Sequence, residues 1–461
     1  MIALSAQEIA KIVDGQLHAT GDLVVTAPPS IDSRDVARGS IFLALKGEHA
    51  DGHDFAGKAL KQGAVLVLSS QKIDGPCIVV KDVVAAIGLL AAYVRRQLPN
   101  LVVIGITGSQ GKTTSKDLLS WILSMADSTI AAVGSFNNEL GVPLTLLRCA
   151  ESTKYCIVEM GARHKGDIKA LSTMAAPNIG VVLKVGSAHV GEFGSLEAIA
   201  STKAELVEAL DEEGIAILGR YDEFTPKMGN GLKSSVITFG ETHEAHIRAS
   251  DIDMREGRAH FDLVTPEGRA AVGLRLVGSH QIANALAAAA VATGLGIPLD
   301  VIAGGLSTAE VVNKWRMELH ELSNLLLIND VYNANPESTA AALRTLALFA
   351  QERGGQSWAF LGKMHELGAS SDQEHASIGT LAESLGIDHL VCVGTPEYGA
   401  DVNKQGEMST HFYPSKALAV ELSKDFAEGD VVLVKASRAE RMEELAANII
   451  ENWNERVGLV E

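Results

Sequence analysis

The sequence is poor in cysteine, with Cys77, Cys149, Cys156 and Cys392 scattered through 461 residues and no C-x-x-C pair. That excludes a disulfide-stapled scaffold and a cysteine-built zinc site, and leaves reduced thiols as the expectation. It is also short of positive charge: 39 Lys+Arg stand against 57 Asp+Glu, a net charge of −18. General binding to nucleic acid or to a membrane surface needs a basic face, so neither partner is expected, although a local basic pocket for phosphates is still allowed. There is no low-complexity tract or internal repeat. An uncharged stretch from Gln281 to Leu299 has about the length of a membrane span, but it carries Gln281, Asn284, Gly294, Gly296 and Pro298 and reads as a buried helix of a soluble protein. The first residues, MIALSAQEIAKIVDG, have no basic segment, and Glu8 interrupts the apolar run, so no signal peptide is expected.

What is present is ordinary globular material, 47% hydrophobic and 21% charged. At ~150 residues per domain the length suggests about three domains. Residues 1–98 mix short β-rich runs with helices at Ala6–Val13 and Val83–Gln97, and Pro99-Asn100 offers a boundary. Residues 99–310 carry apolar strands LVVIGIT, YCIVEMG, NIGVVLKVG and GIAILG, separated by helical patterns. Near 233–277 the pattern alternates polar and apolar and predicts a small antiparallel β excursion, closed by an Ala-rich helix over 281–295. Residues 311–461 repeat the strand–helix alternation with LLLIND, WAFLGKM, HLVCVG and VVLVKAS. The fold class is therefore α/β in three domains. A small α/β unit comes first, then a central parallel-sheet domain of phosphate-loop type, then a Rossmann-like C-terminal domain.

The strongest chemical signal is GITGSQGKTTS at 105–115, after a strand and at the start of a helix. Successive backbone N–H groups in such a turn wrap an anion, and the helix N-terminus adds partial positive charge. Lys112 can reach the outer phosphates of a nucleotide, and the Thr113 hydroxyl can bind Mg²⁺. The usual spacing would put the first glycine at position 106; here it is Gly105, with Gly108 inside the loop. The match is to a variant of the motif.

That variant, TGSQGKTT, resembles the loop of the Mur ligases, ATP-dependent amide-forming enzymes of bacterial cell-wall precursor synthesis, with Gln110 where Asn is usual. The resemblance continues through DSRDVARGSIFLALKGEHADGHDF (32–55), NNELGVPLTLL (137–147), VEMGA (158–162), the stretch from Ala188 through GEFGSLEAIASTKAEL to Leu206, GSHQIANA (278–285) and NDVYNANPEST (329–339). The YNANP segment is similar to that of members adding D-alanyl-D-alanine to a UDP-N-acetylmuramoyl tripeptide, and no DNPR segment of the third-residue-adding members is present. The resemblance implies those two substrates, ATP, Mg²⁺ at two sites, an acyl-phosphate intermediate, a cytoplasmic location and a monomer. Two other readings stand beside it: a ligase of the same fold with another acceptor, such as the third stem residue or glutamate, and an ATP-binding regulator without turnover.

The resemblance also implies roles. Lys112, His189, Lys203 and Arg316 would be catalytic. Gly108, Ser109, Gln110, Gly111, Lys112, Thr113, Thr114, Asn284, Arg316, Asp330, Asn333 and Asn335 would hold the nucleotide. Thr113, Glu159, His189 and a carbamylated Lys203 would hold metal. Ser33, Arg34 and His53 would lie near the uridine end, and Asn137, Asn138, Ser437 and Arg438 near the other substrate groups. The chain departs from the family pattern at Gln281 for Asn, Ala204 for Gly, Trp315 for Gly, Lys363 for an acid and Ala436 for Gly.

Overall fold

The computed structural model describes residues 1–47, 50–187, 190–310, 314–403 and 405–458. In the first domain a four-stranded sheet runs in the order Gln16–His18, Cys77–Val79, Leu66–Ser69, Ile41–Leu43. Helix Ala6–Ile12 starts where Ser5 and Glu8 form a reciprocal capping box. Helix Val83–Gln97 starts where Asp82 accepts from Val84 N–H at 2.8 Å and Ala85 N–H at 3.0 Å. This helix does not end one core and begin another. Its Ala86, Ile87, Leu90, Ala91 and Val94 belong to a buried cluster that also holds Val142, Leu146, Ile168 and Leu171 of the central domain.

The central sheet has nine strands, in the order Gly268–Val277, Arg258–Thr265, Ile247–Arg255, Ser235–Gly240, Ile215–Gly219, Ile179–Val182, Val102–Thr107, Tyr155–Glu159, Thr129–Ala131. Parallel strands buried on both faces read as near-continuous apolar runs, which is why LVVIGIT and YCIVEMG announce themselves. The antiparallel excursion expected near 233–277 is present but begins only at Ile247. Ser235–Gly240 pairs in parallel with Ile215–Gly219, and the following antiparallel meander continues the same sheet through Phe239 opposite Ile247. The meander alternates because one face packs in a single cluster with the Ala-rich helix Gln281–Gly294. A further helix, Leu299–Thr308, follows Pro298 and packs in that cluster too.

The C-terminal sheet has six strands, in the order Glu318–Leu322, Leu325–Asp330, Val431–Lys435, Ser357–Leu361, His389–Val393, Ser409–Tyr413. All pairs are parallel except the first, a hairpin. The four interior strands are those the apolar runs foretold. The two edge strands were not foretold, because ELHEL and STHFY are only partly buried and carry no apolar run.

Candidate active site

The phosphate loop follows strand Val102–Thr107 and ends at Gly111, the first cap of helix Lys112–Ala126. Gly108 and Gly111 have φ of +155° and +81°. At Gly111 that is a left-handed conformation glycine adopts without strain. A Cβ on Gly108 would come within 2.8 Å of Leu183, and one on Gly111 would overlap the Asn284 side chain. The helix carrying Asn284 therefore sits directly against the loop. Lys112 Nζ donates to the Gly108 carbonyl at 2.7 Å. Burial lowers its pKa, with Glu159 opposing and Arg316 adding to the shift.

A cavity of about 680 Å³ opens in front of this loop. It is lined by Ser109 to Thr114, Asn137, Glu159, Asn284, Arg316, Asp330, Asn333 and Asn335, among others. Residues from two domains thus meet around one space, at the carboxyl ends of strands from both sheets, where open α/β sheets place ligands. Arg316 Nη2 donates to Thr113 Oγ1 at 3.3 Å. Its guanidinium lies over the Tyr332 ring, 3.9 Å from the centroid, and Tyr332 in turn hydrogen-bonds Ser135 of the central domain.

Glu159 is fully buried, and both carboxylate oxygens lack a hydrogen-bond partner. Burial raises its pKa, opposed by Lys116, Lys112, Thr113 and Arg316. Lys116 Nζ, 4.0 Å from that carboxylate, is spent on Asp117 at 2.8 Å and on the carbonyls of Ala132 and Gly134. A buried, unpartnered carboxylate beside a threonine hydroxyl fits a hard cation that takes oxygen ligands. Among the described residues there is no group of three or more His, Cys, Asp or Glu side chains that could hold a metal. His189, expected as a metal ligand, lies outside the described residues. Lys203 is buried on helix Leu196–Glu208, with a pKa pushed down to about 7 by desolvation first and by Lys112 second.

Several predicted residues stand apart from the cavity. Arg34 is exposed and paired with Asp32 at 2.7 Å, which holds that carboxyl down to about 2. His53 donates Nδ1–H to Asp51 at 2.5 Å and accepts from Ser70 N–H at 3.3 Å, so its ring is committed inside the N-terminal domain. Ser33 is buried there and does not reach the cavity. Asn138 Oδ1 takes the Gly141 N–H at 3.0 Å at the start of helix Gly141–Leu146. Ser437 Oγ accepts from His365 N–H at 2.9 Å. Arg438 is paired with Glu443 at 2.7 Å and stacked on Trp315, 4.2 Å from the ring centroid. Asn335 lines the cavity as the cap of helix Pro336–Arg353, and Asn333 Oδ1 accepts from Ala334 N–H at 2.9 Å.

Sequence reasoning passed over Lys116, His280, Tyr332 and Lys435. Lys435 is buried, paired with Asp330 at 2.5 Å, and donates to the Asn333 carbonyl at 2.9 Å. Asp330 Oδ1 also accepts from Met317 N–H at 3.1 Å. The available signal was a lysine closing the otherwise apolar strand VVLVK. Burial lowers the pKa of His280, with Asp330 opposing and Lys435 adding to the shift.

Three family models match in chain order: Mur ligase family, catalytic domain, over 30–99; Mur ligase middle domain over 106–292; and Mur ligase, glutamate ligase domain, over 315–438. The chain belongs to the Mur ligase family. It is 38% identical to the UDP-N-acetylmuramoyl-tripeptide–D-alanyl-D-alanine ligase of Mycobacterium tuberculosis, over 95% of this chain and 96% of that one. It is similar to the crystal structure of MurF from Acinetobacter baumannii, with a TM-score of 0.87 and 33% identity over 98% of this chain and 99% of that one. It is also similar to the MurF ligase of Thermotoga maritima in complex with ADP, with a TM-score of 0.80 and 29% identity over 95% and 100% of the two chains. The methyl of Ala436 in this Mur ligase, where glycine is usual, is accommodated because Gly362 faces it: a Cβ there would lie 2.9 Å from that methyl.

Proposed function

We propose that this Mur ligase joins D-alanyl-D-alanine to the UDP-N-acetylmuramoyl tripeptide at the expense of ATP, in peptidoglycan precursor synthesis. The observation that carries the chemistry is the meeting of Arg316, from the C-terminal side, with Thr113 of the phosphate loop at 3.3 Å over one cavity. The choice of substrates is supported by full-length similarity to ligases named for that reaction.

The chain's residues divide the work. The backbone N–H groups of the loop from Gly108 to Thr114 cradle the phosphates of ATP, and Lys112 faces the outer ones. Asn284 and Asp330 hold the base and ribose, with Asn333 and Asn335 beside them. A carboxylate oxygen of the tripeptide attacks the γ-phosphorus and ADP leaves, giving an acyl phosphate. The dipeptide amine then attacks the acyl carbon, loses a proton, and inorganic phosphate departs. Negative charge builds on phosphoryl and tetrahedral oxygens in both steps, so preplaced cations carry much of the rate. Arg316 and Lys112 are those cations. Thr113 and Glu159 would hold one Mg²⁺, and His189 with a carbamylated Lys203 a second; the metal supplies charge neutralisation on the phosphoryl oxygens. A neutral amine is what reacts with CO₂, and Lys203's lowered pKa puts that form within reach at neutral pH. Ser33, Arg34 and His53 shape the uridine end, and Asn137 and Asn138 the path between. For Ser437 and Arg438 to grip the dipeptide carboxylate, Arg438 must exchange Glu443 for it. The enzyme acts as a monomer in the cytoplasm, where ATP is made; among the described residues no helix is long and apolar enough to cross a membrane.

The test is phosphate release from ATP with Mg²⁺ and the UDP-tripeptide, with and without D-alanyl-D-alanine. Release that depends on the dipeptide, with the pentapeptide mass in the product, is expected. Release restored only by another amino acid would reassign the acceptor, and none with any acceptor would leave an ATP-binding protein without turnover.

A further inference from the structure

Glu337 occupies the first turn of helix Pro336–Arg353 and does not line the cavity. Its carboxylate nonetheless accepts hydrogen bonds across the domain seam: from Ser187 N–H and the Ser187 hydroxyl at 2.8 Å each, and from the Gln110 side-chain amide at 3.2 Å. The same amide donates at 3.1 Å to Asn335, the cap of that helix. The fit is close. A Cβ on Gly186 would stand 3.0 Å from Glu337 Oε1, so the missing side chain lets the backbone approach the carboxylate. Ser109 closes the circuit, donating to the Gly186 carbonyl at 3.1 Å and accepting from Gly186 N–H at 2.9 Å. Glu337 therefore holds the phosphate loop twice, directly through Gln110 and indirectly through 186–187 and Ser109.

A negative charge so close to a phosphate site has the wrong sign for binding nucleotide. It has the right sign for a helix N-terminus and for three N–H or O–H donors, which orient it. These donors reach it only when the C-terminal domain is docked, and docking is also what sets Arg316 beside Thr113. We propose that Glu337 is a positioning residue, an interdomain latch. It fixes the phosphate loop against the C-terminal domain in the closed state and so aligns Arg316 with the γ-phosphate. The proposal rests on the reading of the cavity as the ATP site.

The experiment uses the full-length chain with a donor–acceptor dye pair on the central and C-terminal domains. Closure is read with a non-hydrolysable ATP analogue and Mg²⁺, alongside steady-state turnover. With Glu337→Ala, kcat should fall about 10- to 100-fold. The KM for the UDP-substrate should stay within about twofold, and the nucleotide-induced closed fraction should drop. Ser187→Ala should act in the same direction but less. The double variant should be no worse than Glu337→Ala alone, because both remove one contact. Glu337→Gln, which keeps the volume and one acceptor oxygen, should fall between wild type and Glu337→Ala, and it serves if the alanine variant is unstable. Wild-type kcat in Glu337→Ala, lost kcat with undiminished closure, or fully additive losses in the double variant would each overturn the latch. A wild-type chain that closes on nucleotide yet shows no dipeptide-dependent release would fail the acceptor assignment and leave the latch standing.

Discussion

Where the N-terminal domain meets the central one, Ile87, Leu90 and Val94 share one buried cluster with Val142, Leu146 and Leu171. Arg95 reinforces the joint by donating to the carbonyls of Ala175 and Ala176 and to Asn178 Oδ1, each at 3.1 Å. Where the C-terminal domain meets the central one, the described contacts are mostly polar: Gln110 to Asn335 and Glu337, Ser187 to Glu337, Arg316 to Thr113, Tyr332 to Ser135. Val277 is the central-domain member of the buried C-terminal clusters. Opening an apolar seam exposes surface at roughly 25 cal/mol per Å², whereas a hydrogen bond traded for water costs only about 1 kcal/mol net. The first seam is therefore expected to hold its two domains together, and the more polar second seam to be the one that opens. Arg316, proposed above as a catalytic cation, sits on that second seam, so substrate capture and chemistry could be separated in time.

The contrast is broken most severely at the phosphate loop. On the proposed function, Lys112→Ala removes the cation facing the outer phosphates, and turnover should fall ~10³-fold or more, by the scale of losing a preplaced charge-stabilising group. Arg316→Ala should cost about 10²- to 10³-fold in kcat on the same scale. Because Arg316 belongs to the polar seam, the UDP-substrate's affinity, measured by calorimetry, should stay nearly unchanged. Near wild-type turnover in Arg316→Ala would mean that closure on the γ-phosphate is not its role.

On the apolar seam, Leu90→Ala should destabilise the fold by about 2–5 kcal/mol, the range for deleting a buried leucine side chain. In a calorimetric scan the N-terminal and central domains should move down together while the C-terminal transition stays in place. Two separate shifts would show that the shared cluster does not couple them.

The same contrast explains what could be seen in the sequence. Strands such as LVVIGIT and LLLIND were legible because both their faces are covered, and the phosphate loop because its working residues are contiguous. Glu159 was legible as the polar end of an apolar run. The contacts of the seam were not. Asp330 and Lys435 are 105 positions apart, and they meet because their strands are neighbours in parallel register, an order the sequence does not spell. Lys116 looks like one more polar residue on a helix, yet it is buried beneath the site. Glu337 follows a proline at a helix start, where an acid is ordinary capping chemistry, and its partners lie in another domain.

A smaller effect separates charge from mere position at Lys203. Its folded pKa of about 7 lies below the ~10.4 of a free lysine. Between those values the unfolded chain binds more protons, so stability rises with pH across the window, and the burial cost is felt in full below about pH 7. The neutral amine fraction falls about tenfold for each unit below the pKa. With CO₂ depleted, turnover should therefore drop about tenfold between pH 8 and pH 6, and bicarbonate at pH 8 should restore it. Insensitivity to bicarbonate in the wild type would remove the carbamate from the site.

The smallest effect is expected at Trp315, where the C-terminal family model begins. Trp315 holds φ at +65°, the left-handed region where glycine is free of strain, and its indole stacks under Arg438. Glycine would relieve about 1–2 kcal/mol of backbone strain and lose a stacking contact worth about 0.5–1 kcal/mol at a partly exposed site. It would also give the unfolded chain more freedom, at about 0.4–1 kcal/mol. The indole also packs against the buried cluster around Trp358 and Phe360, a burial term lost in both truncations, so the strain is read from the difference between Trp315→Gly and Trp315→Ala. Trp315→Ala keeps the strain, and chemical denaturation should show it less stable than Trp315→Gly by about 1 kcal/mol. If the two variants proved equally stable, the left-handed backbone at Trp315 would carry no strain. The tryptophan's place there would then be explained by its side-chain contacts alone.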